Sequence, residues 1–174
     1  MSTILALYSR EEQIGKTTFA INLGASLIQE THQSALLLDV NTIGNGLSAS
    51  SILKLFSTTT IASPECIPEQ IDSHIQTHSS QLALLTLNAT LVQDETTAQD
   101  VITALLHYLQ SRYEYILIDV PSQPSRMTYA AIDRSTIVIF FSTSEEHEYP
   151  VEILGKHLRH VVTLKTGGSG RVSL

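Results

Sequence analysis

Five short apolar runs constrain this chain more than any other feature: TILALY at 3–8, SALLLD at 34–39, QLALLTL at 81–87, EYILID at 114–119 and STIVIFFS at 135–142. A strand with one wet face alternates apolar and polar residues. These runs are close to continuous, as expected of parallel strands covered on both sides. Helical spacing fills the intervals. Residues 16–30 carry Ala20, Leu23, Gly24 and Leu27 on one stripe with Ile21 and Ile28 beside it, and residues 94–113 carry Val101, Ile102, Leu105, Leu106 and Leu109. The pattern predicts an α/β fold: a doubly wound, mainly parallel sheet flanked by helices. Ligands of such sheets sit beyond the carboxyl ends of the strands. That directs attention to the residues just after Tyr8, Leu38, Ile118 and Phe141.

The remaining segments carry weaker signals. Residues 41–50 read as a polar, glycine-bearing loop, 51–56 as a short helix and 58–68 as irregular. Residues 69–78 read as a helix, with Pro68 suited to its first turn. Helices are further expected at 125–133 and 145–160, and a last strand at 161–165. Residues 1–165 read as one domain, and 166–174, with Gly167, Gly168 and Gly170, as a flexible tail or linker.

Charge excludes several classes of function. Ten Lys+Arg stand against 17 Asp+Glu, a formal net charge of -7, which speaks against constitutive nucleic-acid binding. No apolar run approaches the roughly 18 residues of a membrane span, so membrane insertion is not expected. The single Cys66 excludes an intrachain disulfide, and the opening MSTILALY has no basic leader. The expected setting is cytoplasmic.

The strongest local motif lies after the first strand, where Ser9-Arg10-Glu11-Glu12-Gln13-Ile14-Gly15-Lys16-Thr17-Thr18 leads into a helix. Gly-Lys-Thr at a strand-to-helix turn has a physical role. Gly15 lets backbone approach a phosphate, Lys16 supplies a cation, and the Thr17 hydroxyl can ligate Mg²⁺. The helix N-terminus adds its amides and its partial positive charge. Two further strands end in acids, Asp39 and Asp119, at the rim where a metal-linked acid belongs. His74 and His78 have helical i, i+4 spacing but no evident third ligand, so they read as a surface face, as do His157 and His160. Tyr108, Tyr113 and Tyr115 read as core and sheet-edge residues, and Glu145-Glu146-His147-Glu148 as a solvated first helical turn.

On these residues the chain resembles the ParA/MinD family of deviant-Walker P-loop ATPases, which includes pilus-assembly and flagellar relatives. The family loop reads Lys-Gly-Gly-x-Gly-Lys-Thr-Thr, and 14–18 fits it without a gap, with Asn22-Leu23 following at the family spacing. Leu36-Leu37-Leu38-Asp39 is similar to the family's second strand, 113–121 to its Tyr-Asp-x-hydrophobic-Asp-x-Pro strand, and 130–138 to the helix-to-strand segment after it. The resemblance runs in order through roughly residues 1–165. It implies ATP or ADP and Mg²⁺ as ligands. Gly15, Lys16, Thr17, Thr18 and Asp119 would bind the nucleotide, with Thr17 and Asp119 on the metal side. Lys16 and Asp39 would be the catalytic pair, Asp39 helping to orient the attacking water. It also implies a protein partner or a homodimer.

The departures from that pattern are as specific as the matches. Glu11 stands where the family has its signature lysine, and Glu12 and Gln13 where it has two glycines. Glycine permits φ > 0 and close approach to phosphate, whereas glutamate brings negative charge. The second acid of the family's Asp-x-Asp is Asn41 here, and the loop 119–124 has no glycine. Family members also usually run on past the sixth strand, and this chain is expected to lack that part. Glu11 and Glu12 read as a solvated, degenerate loop rather than as catalytic acids. The favoured reading is a pseudo-ATPase with an impaired nucleotide site, acting as an interaction, scaffold or regulatory domain. The alternative is an active ATP-dependent dimerisation switch that positions or partitions a cargo. A small-molecule kinase is disfavoured by the lack of an Arg-rich lid segment.

Overall fold

The computed structural model describes residues 2–40, 46–57, 66–88, 94–143, 160–166 and 172–173. β1 (Thr3–Ser9) leads through a short loop into α1 (Lys16–Thr31) and then β2 (Ala35–Asp39). β3 (Leu47–Ser48), α2 (Ala49–Ser57), α3 (Cys66–Asp72) and β4 (Gln76–Thr77) come next. β5 (Ala83–Asn88), α4 (Glu95–Gln110), β6 (Tyr115–Asp119), α5 (Arg126–Asp133) and β7 (Ile137–Ser142) continue the alternation, before β8 (His160–Thr166) and β9 (Val172–Ser173). The strands lie in the order β3-β5-β2-β6-β1-β7-β8-β9, with β4 on β5. Every pair is parallel except β4 with β5 and β8 with β9.

The continuous apolar runs have a direct explanation. Alternate residues of one strand enter two different cores. Ile4, Ala6 and Tyr8 of β1 face the core that α4 and α5 cover, and Leu5 and Leu7 face the core under α1. Ile116 and Ile118 divide from Leu117 in the same way on β6, and Leu36 and Leu38 from Leu37 on β2. Burying both faces is what a parallel sheet requires, and it removes any polar side of the strand.

Helix starts are set by local chemistry. Asp94 caps α4 by accepting the Thr97 N–H at 2.7 Å, and Ser125 caps α5 by accepting the Thr128 N–H at 3.1 Å. α1 has no side-chain cap: Gly15 occupies that position in the left-handed region, at φ 91°. The α1 chain then stops at His32, also left-handed, whose N–H returns to the Ile28 carbonyl at 2.9 Å.

Local spacing misplaces two segments. The loop expected over 41–50 contains β3 and the start of α2, with 41–45 outside the described residues. The helix expected over 69–78 begins earlier, at Cys66, and ends at Asp72; Gln76 and Thr77 instead pair antiparallel with Leu84 and Ala83. Pairing with β5 gives this backbone its hydrogen bonds, and a tight return closed by Gln81 N–H on the His78 carbonyl (2.9 Å) makes it reachable. His74 and His78 therefore do not share a helix face. The helix expected at 145–160 falls on undescribed residues apart from His160, which opens β8. Within 166–174, Thr166 ends β8 and pairs with Val172 of β9. Among the described residues no helix is long and apolar enough to cross a membrane.

Two glycines test the packing. A Cβ on Gly46 would lie 2.6 Å from the Thr86 carbonyl oxygen, a backbone atom that cannot turn aside, whereas one on Gly24 would meet only the Leu82 side-chain tip at 2.7 Å. Gly46→Ala is expected to cost about 1–3 kcal/mol in urea unfolding. Gly24→Ala should cost less, because Leu82 can rotate and alanine gains about 1 kcal/mol of helix propensity over glycine.

The Asp94 cap adds a pH dependence. Hydrogen bonds from Thr97 hold its carboxyl below the ordinary value. A depressed folded pKa contributes stability that is present above the unfolded pKa and is lost as pH falls through the folded one. Asp94→Asn keeps the acceptor and loses the charge. Wild type should therefore lose ground to Asp94→Asn between roughly pH 5 and pH 2 in thermal melts; parallel curves would refute the capping role.

Candidate functional site

The parallel register gathers three strand ends at one rim. Leu7 of β1 pairs with Asp119 of β6, and Asp39 of β2 pairs with the same Asp119. The loop leaving β1 therefore emerges beside the β6 carboxylate, as the resemblance implied. Gly15 turns that loop into α1, and the first amides of a helix have no intrahelical acceptor. The first intrahelical bond runs from Phe19 N–H to the Gly15 carbonyl at 2.9 Å.

Asp119 is fully buried, at 0% exposure, and Lys16 is nearly so at 8%. The Lys16 Nζ stands 3.3 Å from Asp119 Oδ1 and donates to the Val120 carbonyl. The Thr17 hydroxyl donates to Asp119 Oδ2. One carboxylate thus receives both the loop lysine and the hydroxyl of the next residue. Thr18 is exposed and its carbonyl accepts from the Asn22 side chain at 2.8 Å. Gly15, Lys16, Thr17, Thr18 and Asp119 are brought together. Asp39 stands one strand away on the same rim, half-buried, and is not among the residues lining the pocket.

That pocket has a volume of about 670 Å³, with the 12–18 stretch on one side and Pro121, Ser122 and Gln123 on the other. Gln13 holds φ at 57°, a left-handed conformation that costs a non-glycine residue roughly 1 kcal/mol. The backbone thus takes a conformation that favours glycine at a position whose residue lines the pocket. Glu12 lines the same pocket and is exposed.

Glu11 departs from the solvated reading. Its carboxylate accepts the Thr143 N–H at 3.0 Å and the Thr143 hydroxyl at 2.6 Å, just past the end of β7. Its own N–H donates to Ser9 Oγ at 2.9 Å, and its carbonyl accepts from Ser122 Oγ at 3.0 Å. Ser122, Gln123 and Thr143 were not singled out from the sequence, and Ser9 was given no role of its own. Their only signal is a polar side chain at or just after the end of a buried strand. Tyr8 lies fully buried on the other face of β1; burial raises its hydroxyl pKa, opposed by Arg10, so it brings no charge to the rim.

The other singled-out residues belong elsewhere. His74 Nδ1 lies 2.9 Å from the Gln70 carbonyl and His78 Nδ1 2.9 Å from Ser80 Oγ. Tyr108 and Tyr113 pack on the α4 side of the sheet and Tyr115 on the α1 side. Tyr108 also donates to Asp72 at 2.9 Å, beside the Arg112–Asp72 pair at 2.6 Å. Glu145, Glu146, His147, Glu148 and His157 lie outside the described residues.

The buried pair makes a stability prediction. Removing one partner of a buried ion pair costs about 3–5 kcal/mol, because the remaining charge keeps its desolvation penalty. Lys16→Ala is expected near the lower end, about 3 kcal/mol, since Thr17 still donates to Asp119. Lys16→Ala combined with Asp119→Asn should recover most of the loss in chemical denaturation. Equal stability of wild type and Lys16→Ala would refute the pairing.

Comparisons with known proteins bear on the family and the fold. The family profile described as "AAA domain" matches residues 2–166. An uncharacterized protein of Pseudomonas putida is 31% identical over 153 residues, which is 80% of this chain and 55% of that protein. The chain thus spans about half the length of the curated relatives it matches. Among solved structures, a ParA family ATPase from Chlorobium tepidum superposes with TM-score 0.63 at 15% identity, covering 99% of this chain and 76% of that one. Cobyrinic acid a,c-diamide synthase from Mycobacterium smegmatis, with a bound ATP analog and magnesium, gives TM-score 0.63 at 16% identity, covering 94% and 72%. With its mainly parallel, doubly wound sheet and its Gly-Lys-Thr turn beside Asp119, the chain has the fold of ParA-type P-loop proteins and belongs to the AAA domain family.

Proposed function

We propose that this domain is a pseudo-ATPase of its family: a P-loop scaffold with weak or absent Mg²⁺-ATP binding that serves as an interaction or regulatory domain for a protein partner. The observation that carries the reading is the composition of the pocket wall. Glu12 and Gln13 form it where the family has two glycines. A carboxylate about 5 Å from one phosphate charge costs about 3 kcal/mol at an effective dielectric of about 20, equivalent to about a hundredfold in affinity. Gln13 adds bulk on the side from which backbone would approach a phosphate. Lys16 is also committed to Asp119 and Val120, so a phosphate must compete with a buried ion pair for it.

The residues on the metal side do fit Mg²⁺. A threonine hydroxyl already in contact with a buried carboxylate is a hard-oxygen donor pair suited to that ion. Bound there, Mg²⁺ would neutralise phosphate charge, with Thr17 and Asp119 holding it and Lys16 released toward the phosphates. This pre-assembled half supports a second reading, an active dimerising switch in which Asp39 helps orient water. In either reading the setting is cytoplasmic, without constitutive nucleic-acid binding.

Calorimetric titration with Mg²⁺-ATP separates the two. The triple variant Glu11→Lys, Glu12→Gly, Gln13→Gly is expected to bind at least tenfold more tightly than wild type. Adding Lys16→Ala to that variant, at a temperature where circular dichroism shows it folded, should abolish the gain. Micromolar binding by wild type that is lost on Lys16→Ala would overturn the pseudo-ATPase reading and restore the switch.

A further inference from the structure

Glu11 offers every polar group it has to the rim. The N–H goes to Ser9, the last residue of β1, the carbonyl receives Ser122 after β6, and the two carboxylate oxygens receive the N–H and hydroxyl of Thr143 after β7. Three loops that meet only at the carboxyl ends of their strands are joined through one residue. Lysine, the residue the family has at this position, could not make the two side-chain bonds, because an ammonium has no acceptor. The carboxylate is also directed away from the pocket: Glu12 lines it and Glu11 does not.

We propose that Glu11 is an internal latch that fixes the first half of the P-loop to the end of β7, its carboxylate oxygens engaged by Thr143 rather than lining the pocket. The three replaced positions then have separate roles. Glu12 and Gln13 shape the pocket, and Glu11 positions the loop that carries them. The loop is held by bonds made within the protein itself.

Amide hydrogen exchange on the full chain tests the latch directly. The Thr143 amide lies beyond the β7 ladder, and its protection is expected to depend on Glu11. In Glu11→Lys it should exchange at least tenfold faster, while the Ile139 amide inside β7 is unchanged. Glu11→Gln keeps an acceptor and should fall between wild type and Glu11→Lys. Unchanged exchange at Thr143 in Glu11→Lys would overturn the proposal, and so would equal acceleration at Ile139, since the latch acts locally. A second arm rests on the impaired-site reading. Glu12→Gly with Gln13→Gly should match the triple variant in Mg²⁺-ATP affinity within about threefold, and Glu11→Lys alone should gain nothing. Restoration of binding by Glu11→Lys alone would show the carboxylate acting on the ligand and would overturn the latch. If the double variant gains nothing while Thr143 exchange still responds to Glu11, the impaired-site reading falls and the latch stands.

Discussion

The buried carboxylate of Asp119 is the group around which this rim is built. It ends the strand that lies between β1 and β2, and no water reaches it. A carboxylate taken out of water has to be met by a cation and by hydrogen-bond donors, or it does not stay charged. Lys16 and Thr17 meet it. Both come from the first turn of α1, so the helix has to begin within a few residues of the end of β1. Only a left-handed turn at Gly15 lets it do so. Strand order, turn and helix start are therefore coupled through one charge. The same coupling sets the chemistry available to the site, because the lysine that would serve a phosphate is the lysine that stabilises the strand end.

The loop ahead of Gly15 separates backbone path from surface. Gln13 holds a left-handed conformation that a glycine would hold at less cost. The backbone there follows a path that favours glycine although glutamine occupies it. The side chains of Glu12 and Gln13 line the pocket at this stretch. A fold comparison is sensitive to the path and blind to the wall, which is why a TM-score of 0.63 to a magnesium- and nucleotide-bound enzyme coexists with a site that we read as impaired. The two adjacent glutamates are also not equivalent. Glu11 accepts from Thr143 and Glu12 lines the pocket, so the two carboxylates stand differently toward a ligand.

Much of the fold was legible because it rests on short-range pattern. Apolar runs with two buried faces and helical stripes on 16–30 and 94–113 each act within one element. Reading failed where a long-range pairing outweighed local spacing. Gln76 and Thr77 continue a helical pattern but pair with β5 instead, and Leu47 and Ser48 leave their loop to lie beside Leu87 and Asn88. A two-residue strand has too little pattern to announce itself; its partner supplies the hydrogen bonds that define it.

The candidate site divides along the same line. By itself, the sequence determined that Gly15, Lys16 and Thr17 would open a helix after a buried strand, and that two other strands would end in Asp39 and Asp119, because residue type and periodicity suffice for those statements. Tertiary structure alone decided that Asp119 is the acid Lys16 and Thr17 contact, that Asp39 stands one strand aside, and that Glu11 is held by Thr143, 132 residues away. These contacts depend on strand order and register. Residues remote along the chain meet there only after the sheet has assembled, and no local preference encodes which strand ends become neighbours.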